Sequence, residues 1–284
     1  MRKIKNIIVP TDFSVTARNA YQYAQGLAQV LGASITVVHV KEHFIPVSEL
    51  NIAPFFENEE IQLAEAMVMF VAEEQAANDG TIVKSKIKTQ ILRGDPTGSL
   101  IELSADPDTD LMVIGTTGLQ DVISKAMGSI SGTVASKASC PVILVPPLAE
   151  WVPIERMLYA SNYESMAPGL IGEATDFARF FLADTHFVHV DDTVFEEKSK
   201  TDGVSWDKLF SMIDPKLSYQ THAIYGSNTI EELKKYAEKH HIDLMVFVSK
   251  HRSFWENLFH QSTTQNMAVS TDIPMMVLHL DDKS

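Results

Sequence analysis

The sequence predicts an α/β protein made of two open, mostly parallel sheets in tandem, each flanked by helices. Three observations predict it. Two ungapped blocks recur in the same order in both halves of the chain. Within each half, short β-rich runs alternate with stretches of helical periodicity. The runs "SITVVHV" and "DLMVIG" are nearly continuous in apolar character, as strands covered on both faces of a parallel sheet are.

The duplication is direct. "NIIVPTDFS…ITVVHV" lies over "RMLYASNYE…THFVHV", so that Ile7 falls on Met157 and Val38-His39-Val40 on Val188-His189-Val190. "DLMVIGTTG…CPVILV" lies over "DLMVFVSKH…IPMMVL", from Asp110 on Asp243 to Pro141 on Pro274. The prolines of "PPLAEWVP", Pro146 to Pro153, mark a linker and give domains over residues 1–147 and 152–281. The copies differ mainly in their middles, which are longer between Val40 and Gly94 than between Val190 and Gly226.

In order along the first copy, "NIIVP" reads as a short strand. "SVTARNAYQYAQGLAQVLGA" reads as a helix with Ser14 as its cap and a glycine at its end. "SITVVHV" is the second strand. "EEIQLAEAMVMFVAEEQAAN" is a long helix whose Met, Phe and Val stripe is core packing. "IVKSKIKTQIL" alternates polar and apolar residues, as a strand near a sheet edge does. "TGSLIELSADP" is helical, "DLMVIG" is a buried strand, and Ser129 to Ala138 form a helix that leads into "PVILV".

Bulk composition narrows the function classes. The 284 residues carry 37 acidic and 23 basic side chains, a formal charge of -14, which repels phosphate backbones and anionic lipid, and no local basic patch offsets it. Nucleic acid is therefore not an expected partner, and neither is a membrane, because no run approaches the roughly 20 apolar residues of a span. The apolar run near the N-terminus stops at Pro10 and Asp12, short of a signal-peptide core. One cysteine, Cys140, excludes an intrachain disulfide and fits a reducing cytoplasm, the expected location; next to Pro141 at a strand start it reads as a packed side chain.

Ligands of such sheets bind beyond the carboxyl ends of the strands. The candidates there are "PTD" at Pro10, Thr11 and Asp12, "HV" at His39 and Val40, and "IG" at Ile114 and Gly115. Glycine at 115 and again at 118 permits sharp turns or close main-chain approach. Gly128 then opens a helix whose first N–H groups, on Ser129, Ile130 and Ser131, favour an anion, and the two serine hydroxyls add donors. Taken singly, each glycine reads as turn punctuation rather than as part of a site, and a cap for the helix that follows is the alternative role for Asp12.

The joint spacing G-x2-G-x9-G-S, at Gly115, Gly118, Gly128 and Ser129, resembles the nucleotide-binding signature of the universal stress protein family. "IIVPTDFS" and "HV" resemble that family's first two strand ends, so the likeness runs along the chain as a tandem pair. The resemblance implies five-stranded sheets in order 3-2-1-4-5, of the adenine-nucleotide alpha hydrolase-like type. The ligand it implies is ATP or another adenine nucleotide, with or without magnesium, at the switch point. On this likeness Asp12 and Val40 hold the adenine and ribose end, with Pro10, Thr11 and Ile114 lining the pocket. Gly115, Thr117 and Gly118 border ribose and phosphates, and Gly128, Ser129, Ile130 and Ser131 bind the phosphate chain.

The second copy lacks most of this set. Val248 replaces Gly115, His251 replaces Gly118, Gln261 replaces Gly128 and Asn162 replaces Asp12, while Ser262 matches Ser129. The ligand is therefore expected in the N-terminal domain only. The histidines His240, His241, His251 and His260 invite a metal reading, but their spacing is not that of a structural zinc site, and no metal is expected. Phe254, Trp255, Leu258 and Phe259 are read as filling the degenerate pocket or forming a contact surface, and His39 and His189 as packed histidines. There is no Walker sequence, "GDPTGSL" lacks its lysine, and no catalytic set emerges. The expectation is a regulatory or stress-response nucleotide binder, with slow ATP hydrolysis or a ligand-independent interaction module as alternatives. "PVILV" and "PMMVL" end the copies with apolar edge strands that need a partner. The resemblance implies that they make one chain an intramolecular pseudo-dimer; assembly into a homodimer is left open.

Overall fold

The computed structural model describes residues 3–42, 53–77, 86–116, 129–161, 168–191, 218–249 and 272–279. They fall into two compact units, one of Lys3–Thr117 with Gly128–Trp151, the other carrying Val152–Ser284.

The first unit runs β1 (Asn6–Pro10), α1 (Val15–Leu31), β2 (Ser34–Lys41), α2 (Ala53–Ala77), β3 (Ile87–Arg93), α3 (Pro96–Ser104), β4 (Leu111–Gly115), α4 (Ser129–Lys137) and β5 (Val142–Val145). Its strands lie in the order β3-β2-β1-β4-β5, all parallel. Consecutive burial of Ile7, Ile8 and Val9 in β1, and of Met112, Val113 and Ile114 in β4, shows both sheet faces covered. Each such side chain contributes roughly 1.5–3 kcal/mol on full burial, which is why near-continuous apolar runs occupy the middle of the sheet. β3, at the sheet's outer position in this unit, is mostly exposed, with only Ile87 and Leu92 half-buried, so the alternation expected there does not carry into its burial.

Local chemistry sets the helix ends. Ser14 accepts a hydrogen bond from the Ala17 N–H at 3.2 Å, so α1 begins where a hydroxyl satisfies one of its orphan donors. α1 ends at Gly32, whose φ of 65° is the left-handed cap that glycine adopts without a Cβ penalty. α3 starts one residue earlier than the sequence predicts, because Asp95 accepts from Gly98 N at 2.6 Å and Pro96 occupies the first turn. α2 starts at Ala53, ahead of the expected "EEIQ". Of the stripe expected to be core, Met67 and Phe70 are buried but Val68 and Met69 stand exposed, because one helix turn presents only some of its positions to the sheet. Arg18 of α1 stands over the Phe70 ring while pairing with Glu73 at 2.9 Å.

The second unit runs β6 (Arg156–Ser161), α5 (Pro168–Phe181), β7 (Asp184–Asp191), β8 (Tyr219–Tyr225), α6 (Thr229–Lys239), β9 (Leu244–Ser249) and β10 (Met275–His279). Its strands lie in the order β8-β7-β6-β9-β10, again all parallel. Numbered within each unit, both sheets follow 3-2-1-4-5.

One aspartate does the same work in each unit. Asp110 Oδ2 accepts from the main-chain N–H groups of Lys5 at 2.8 Å and Asn6 at 3.0 Å, tying the loop before β4 to the start of β1. Asp243 Oδ2 accepts from Glu155 and Arg156 N–H, both at 2.9 Å, and ties β9 to β6. Charge-assisted bonds to two donors fix the amino ends of the central strands in both copies.

The stretch expected as a linker is built onto the first unit as far as Trp151. Asn19 of α1 donates to Pro146 O at 2.8 Å and to Ala149 O at 3.0 Å, and the Trp151 ring meets Tyr23 edge-on at 5.1 Å between centroids. Among the described residues no helix is long and apolar enough to cross a membrane.

Candidate functional site

β1 lies between β2 and β4, so the chain reverses its direction of winding there, and the carboxyl ends of these three strands border one edge of the first unit's sheet. That edge carries Pro10, Thr11 and Asp12 after β1, His39 and Val40 at the end of β2, and Ile114 and Gly115 at the end of β4. Pro10 pairs with Val38, and the Thr11 N–H donates to Val38 O at 2.8 Å, so β1 and β2 stay in register to their tips. Pro10, Thr11 and Ile114 are buried, Val40 is half-buried and Asp12 is exposed.

The turn from β1 into α1 is held by its own side chains. Thr11 Oγ1 accepts from Phe13 N at 2.9 Å, and Asp12 Oδ1 accepts from Ser14 N at 3.0 Å. These bonds stabilise a tight turn in which Phe13 takes a φ of 66°, a left-handed conformation that costs a non-glycine residue about 1–2 kcal/mol. Asp12 thus shapes the turn, while the cap itself is Ser14.

His39 completes the turn. Its Nδ1 lies 2.8 Å from Thr11 O, and because a carbonyl only accepts, Nδ1 carries the proton. Phe13 stacks on the His39 ring at 4.8 Å and meets Phe70 edge-on at 5.9 Å. His39 is therefore more than the packed histidine expected: it joins the tips of β1 and β2 through a hydrogen bond and a ring stack. Phe13 and Phe70 were not singled out in the sequence. The available signal for Phe13 was an aromatic residue just before the Ser14 cap.

Gly115 meets a packing requirement. A β-carbon there would lie 2.8 Å from the Thr16 carbonyl carbon and closer still to its oxygen, so the first turn of α1 packs directly on the end of β4. The next residue, Thr116, donates its N–H to Val145 O at 2.9 Å and continues the ladder toward β5.

The phosphate end of the expected site is described only in part. Thr117, Gly118 and Gly128 lie outside the described residues, as does Asn162 of the second copy. Ser129 opens α4, Ile130 is 38% exposed and Ser131 is 7% exposed, so the Ser131 hydroxyl has little open surface. The structure thus gathers Pro10, Thr11, Asp12, Val40, Ile114 and Gly115 along one sheet edge, and puts Ser129, Ile130 and Ser131 in the first turn of α4.

Of the other residues singled out, His251, Phe254, Trp255, Leu258, Phe259, His260, Gln261 and Ser262 lie outside the described residues. His240 caps the C-terminal end of α6 and His241 follows it with a φ of 52°. Among the described residues no group of three or more His, Cys, Asp or Glu side chains is placed to hold a metal ion. Cys140 is buried, and burial pushes its thiol up to about 12, so it is protonated at neutral pH.

Comparison with known proteins bears on this geometry. The model of the family described as "Universal stress protein family" matches residues 3–146. A universal stress protein of Thermus aquaticus is 34% identical over 141 residues, spanning 50% of this chain and 98% of that protein. One of Methanocaldococcus jannaschii is 30% identical over 147 residues, spanning 50% of this chain and 81% of its own length. Over both units, the crystal structure of a universal stress protein from Archaeoglobus fulgidus has a TM-score of 0.71. It covers 98% of this chain and 97% of its own at 17% identity, a likeness of fold.

Proposed function

The chain belongs to the universal stress protein family, and from that premise we propose that it binds ATP or another adenine nucleotide in its first unit and acts as a regulatory protein. The observation that carries this reading is the meeting of Pro10, Thr11, Asp12, Val40, Ile114 and Gly115 at the carboxyl edge of β2, β1 and β4, in a chain that continues into G-x2-G-x9-G-S. In this reading Asp12 accepts from the hydroxyl or amino groups of the nucleoside. Its Oδ1 already holds Ser14 N, so the carboxylate is oriented before a ligand arrives. Main chain supplies the anion-binding part: the N–H groups of the first turn of α4 and the helix dipole favour phosphate, and Gly118 and Gly128 let phosphate approach without a Cβ in the way. The acidic group belongs at the nucleoside end, since a carboxylate beside the phosphates would repel them.

The proposal extends to the whole chain. Residues 1–147 form the ligand-binding domain, and residues 152–281 form a second domain that keeps the fold without the ligand, because Val248, His251 and Gln261 replace the three glycines. The two domains act as a built-in pair in the cytoplasm, a compartment suited to a chain with one cysteine.

The test is to identify by mass spectrometry any nucleotide that copurifies with the full chain, then to titrate AMP, ADP and ATP by calorimetry. One site per chain is expected, and Gly128→Asp is expected to abolish it. Two equal sites, or unchanged binding by Gly128→Asp, would overturn the reading. Phosphate release that disappears in the same variant would add a slow hydrolase activity to it.

A further inference from the structure

At the end of the second sheet opposite its carboxyl edge, three histidines from three elements converge on one tyrosine. His186 of β7, His222 of β8 and His240 at the end of α6 have ring centroids 5.6 to 5.9 Å apart. Tyr236 of α6 stacks on His240 at 4.1 Å, lies 5.2 Å from His222, and brings its hydroxyl within 2.8 Å of His186 Nδ1. His186 is 3% exposed, while its Nε2 lies 3.3 Å from Asp184 Oδ2. Asp184 is itself engaged, accepting from Ser218 Oγ at 2.8 Å and Gln220 Nε2 at 2.9 Å.

We propose that this cluster is an acid-sensitive latch, closed while its imidazoles are neutral, that releases α6 from β7 and β8 when they become charged. The geometry supplies the reason. Neutral rings pack on one another and on Tyr236, whose hydroxyl bonds to His186, but imidazolium ions less than 6 Å apart repel, and the buried ring cannot hydrate its charge. With both ring nitrogens of His186 protonated, Nδ1 becomes a donor and Tyr236 must turn its own proton away. Tyr236 stays protonated throughout, since burial, and then Asp184, push it up to about 12.

The charges around the cluster set the direction. Burial holds His186 below its ordinary value, against the pull of Asp184, and His222 and Arg156 of β6 add to the lowering. Partial burial lowers His240 as well, with His186, Lys239, His222 and His241 acting in the same sense. Asp184, the carboxylate that faces His186 among the described residues, is lowered although burial opposes it, because its bonds from Ser218 and Gln220 and the nearby His186 outweigh burial. A histidine whose folded value lies below its unfolded value takes up a proton on unfolding. The stability it contributes is complete above the unfolded value of about 6.5 and falls as the pH drops from there toward the folded value.

The experiment measures hydrogen-exchange protection factors of α6 amides in the full chain at pH about 7.5 and about 5.5, with α1 of the first unit as internal reference. Protection in α6 is expected to fall by about tenfold or more relative to α1, and by less than about threefold in His222→Gln/His240→Gln. An α6 that keeps its protection at the lower pH, or a double variant as acid-sensitive as the wild type, would overturn the proposal. If the double variant does not fold, NMR titration of the wild-type rings decides. His186 still neutral where a solvated histidine is half-charged supports the latch, and an ordinary titration refutes it.

Discussion

Gly26 of α1 faces the indole of Trp151 so closely that a β-carbon at position 26 would fall inside the ring's contact distance. A glycine in mid-helix ordinarily costs about 1 kcal/mol relative to alanine. Here its bare surface is the seat for an aromatic ring carried on the strap that follows β5. Gly26→Ala is therefore expected to destabilise the first unit by about 1–3 kcal/mol, the cost of overpacking, despite the better helix former. Denaturant unfolding of Gly26→Ala, Trp151→Ala and the double variant checks this: the double variant should cost less than the sum of the singles. A stabilised Gly26→Ala would refute the contact.

Gly115→Ala is expected to be the more damaging alanine. Its new methyl would meet the Thr16 main chain, which cannot swing aside as a side-chain tip can. A loss of about 2–3 kcal/mol is expected, as for strained overpacking of a core. The measurement is the urea midpoint of the full chain. An unchanged midpoint would show that α1 can shift away from β4 at little cost.

Asp12→Asn separates charge from turn geometry. The amide oxygen can still accept from Ser14 N, so the turn that holds Phe13 should survive with a stability change within about 0.5 kcal/mol. Adenine nucleotide binding, if Asp12 serves it, should weaken by about tenfold, the worth of one charge-assisted hydrogen bond. Calorimetry and thermal unfolding on one preparation check both halves. Equal affinity in the two proteins would remove Asp12 from the ligand set.

Asp110→Ala and Asp243→Ala should have matched effects. Each strips two main-chain donors of one shared acceptor, at a cost of about 1–3 kcal/mol. Hydrogen exchange would read the loss separately in β1 and β6. If one variant were neutral and the other severe, the two clamps would not be equivalent.

Cys140 should react with thiol reagents only through unfolding. With its thiol pushed up to about 12 by burial, about one molecule in ten thousand carries the thiolate at pH 8. Its labelling rate in native protein is expected to rise with urea in step with unfolding. Rapid labelling without denaturant would contradict the buried position.

The parts of the fold that were legible in the sequence share a physical cause. β1, β2 and β4 are nearly continuous in apolar character because both their faces are covered, and Ser14 and Gly32 mark α1 because main-chain donors and acceptors need local partners at a helix end. What stayed hidden depends on contacts between residues distant in the chain. Nothing next to Gly26 announces Trp151, and nothing in "SITVVHV" tells that His39 reaches the Thr11 carbonyl. Gly115 was legible as a position open to a sharp turn or close main-chain approach, while the group that excludes a side chain there, the Thr16 main chain, came only with the fold. The cluster on Tyr236 was half visible: "KHH" drew attention to His240, but His186 and His222 sit in strands whose pairing brings them together.

The aspartate clamps lie at the amino ends of the strands, and the candidate ligand residues lie at the carboxyl ends. Mutational drift at one end of a copy therefore leaves the fastening at the other intact. A duplicated gene built on this plan can lose an ancestral binding activity in one half, or acquire a different one, without first having to evolve a new way of folding.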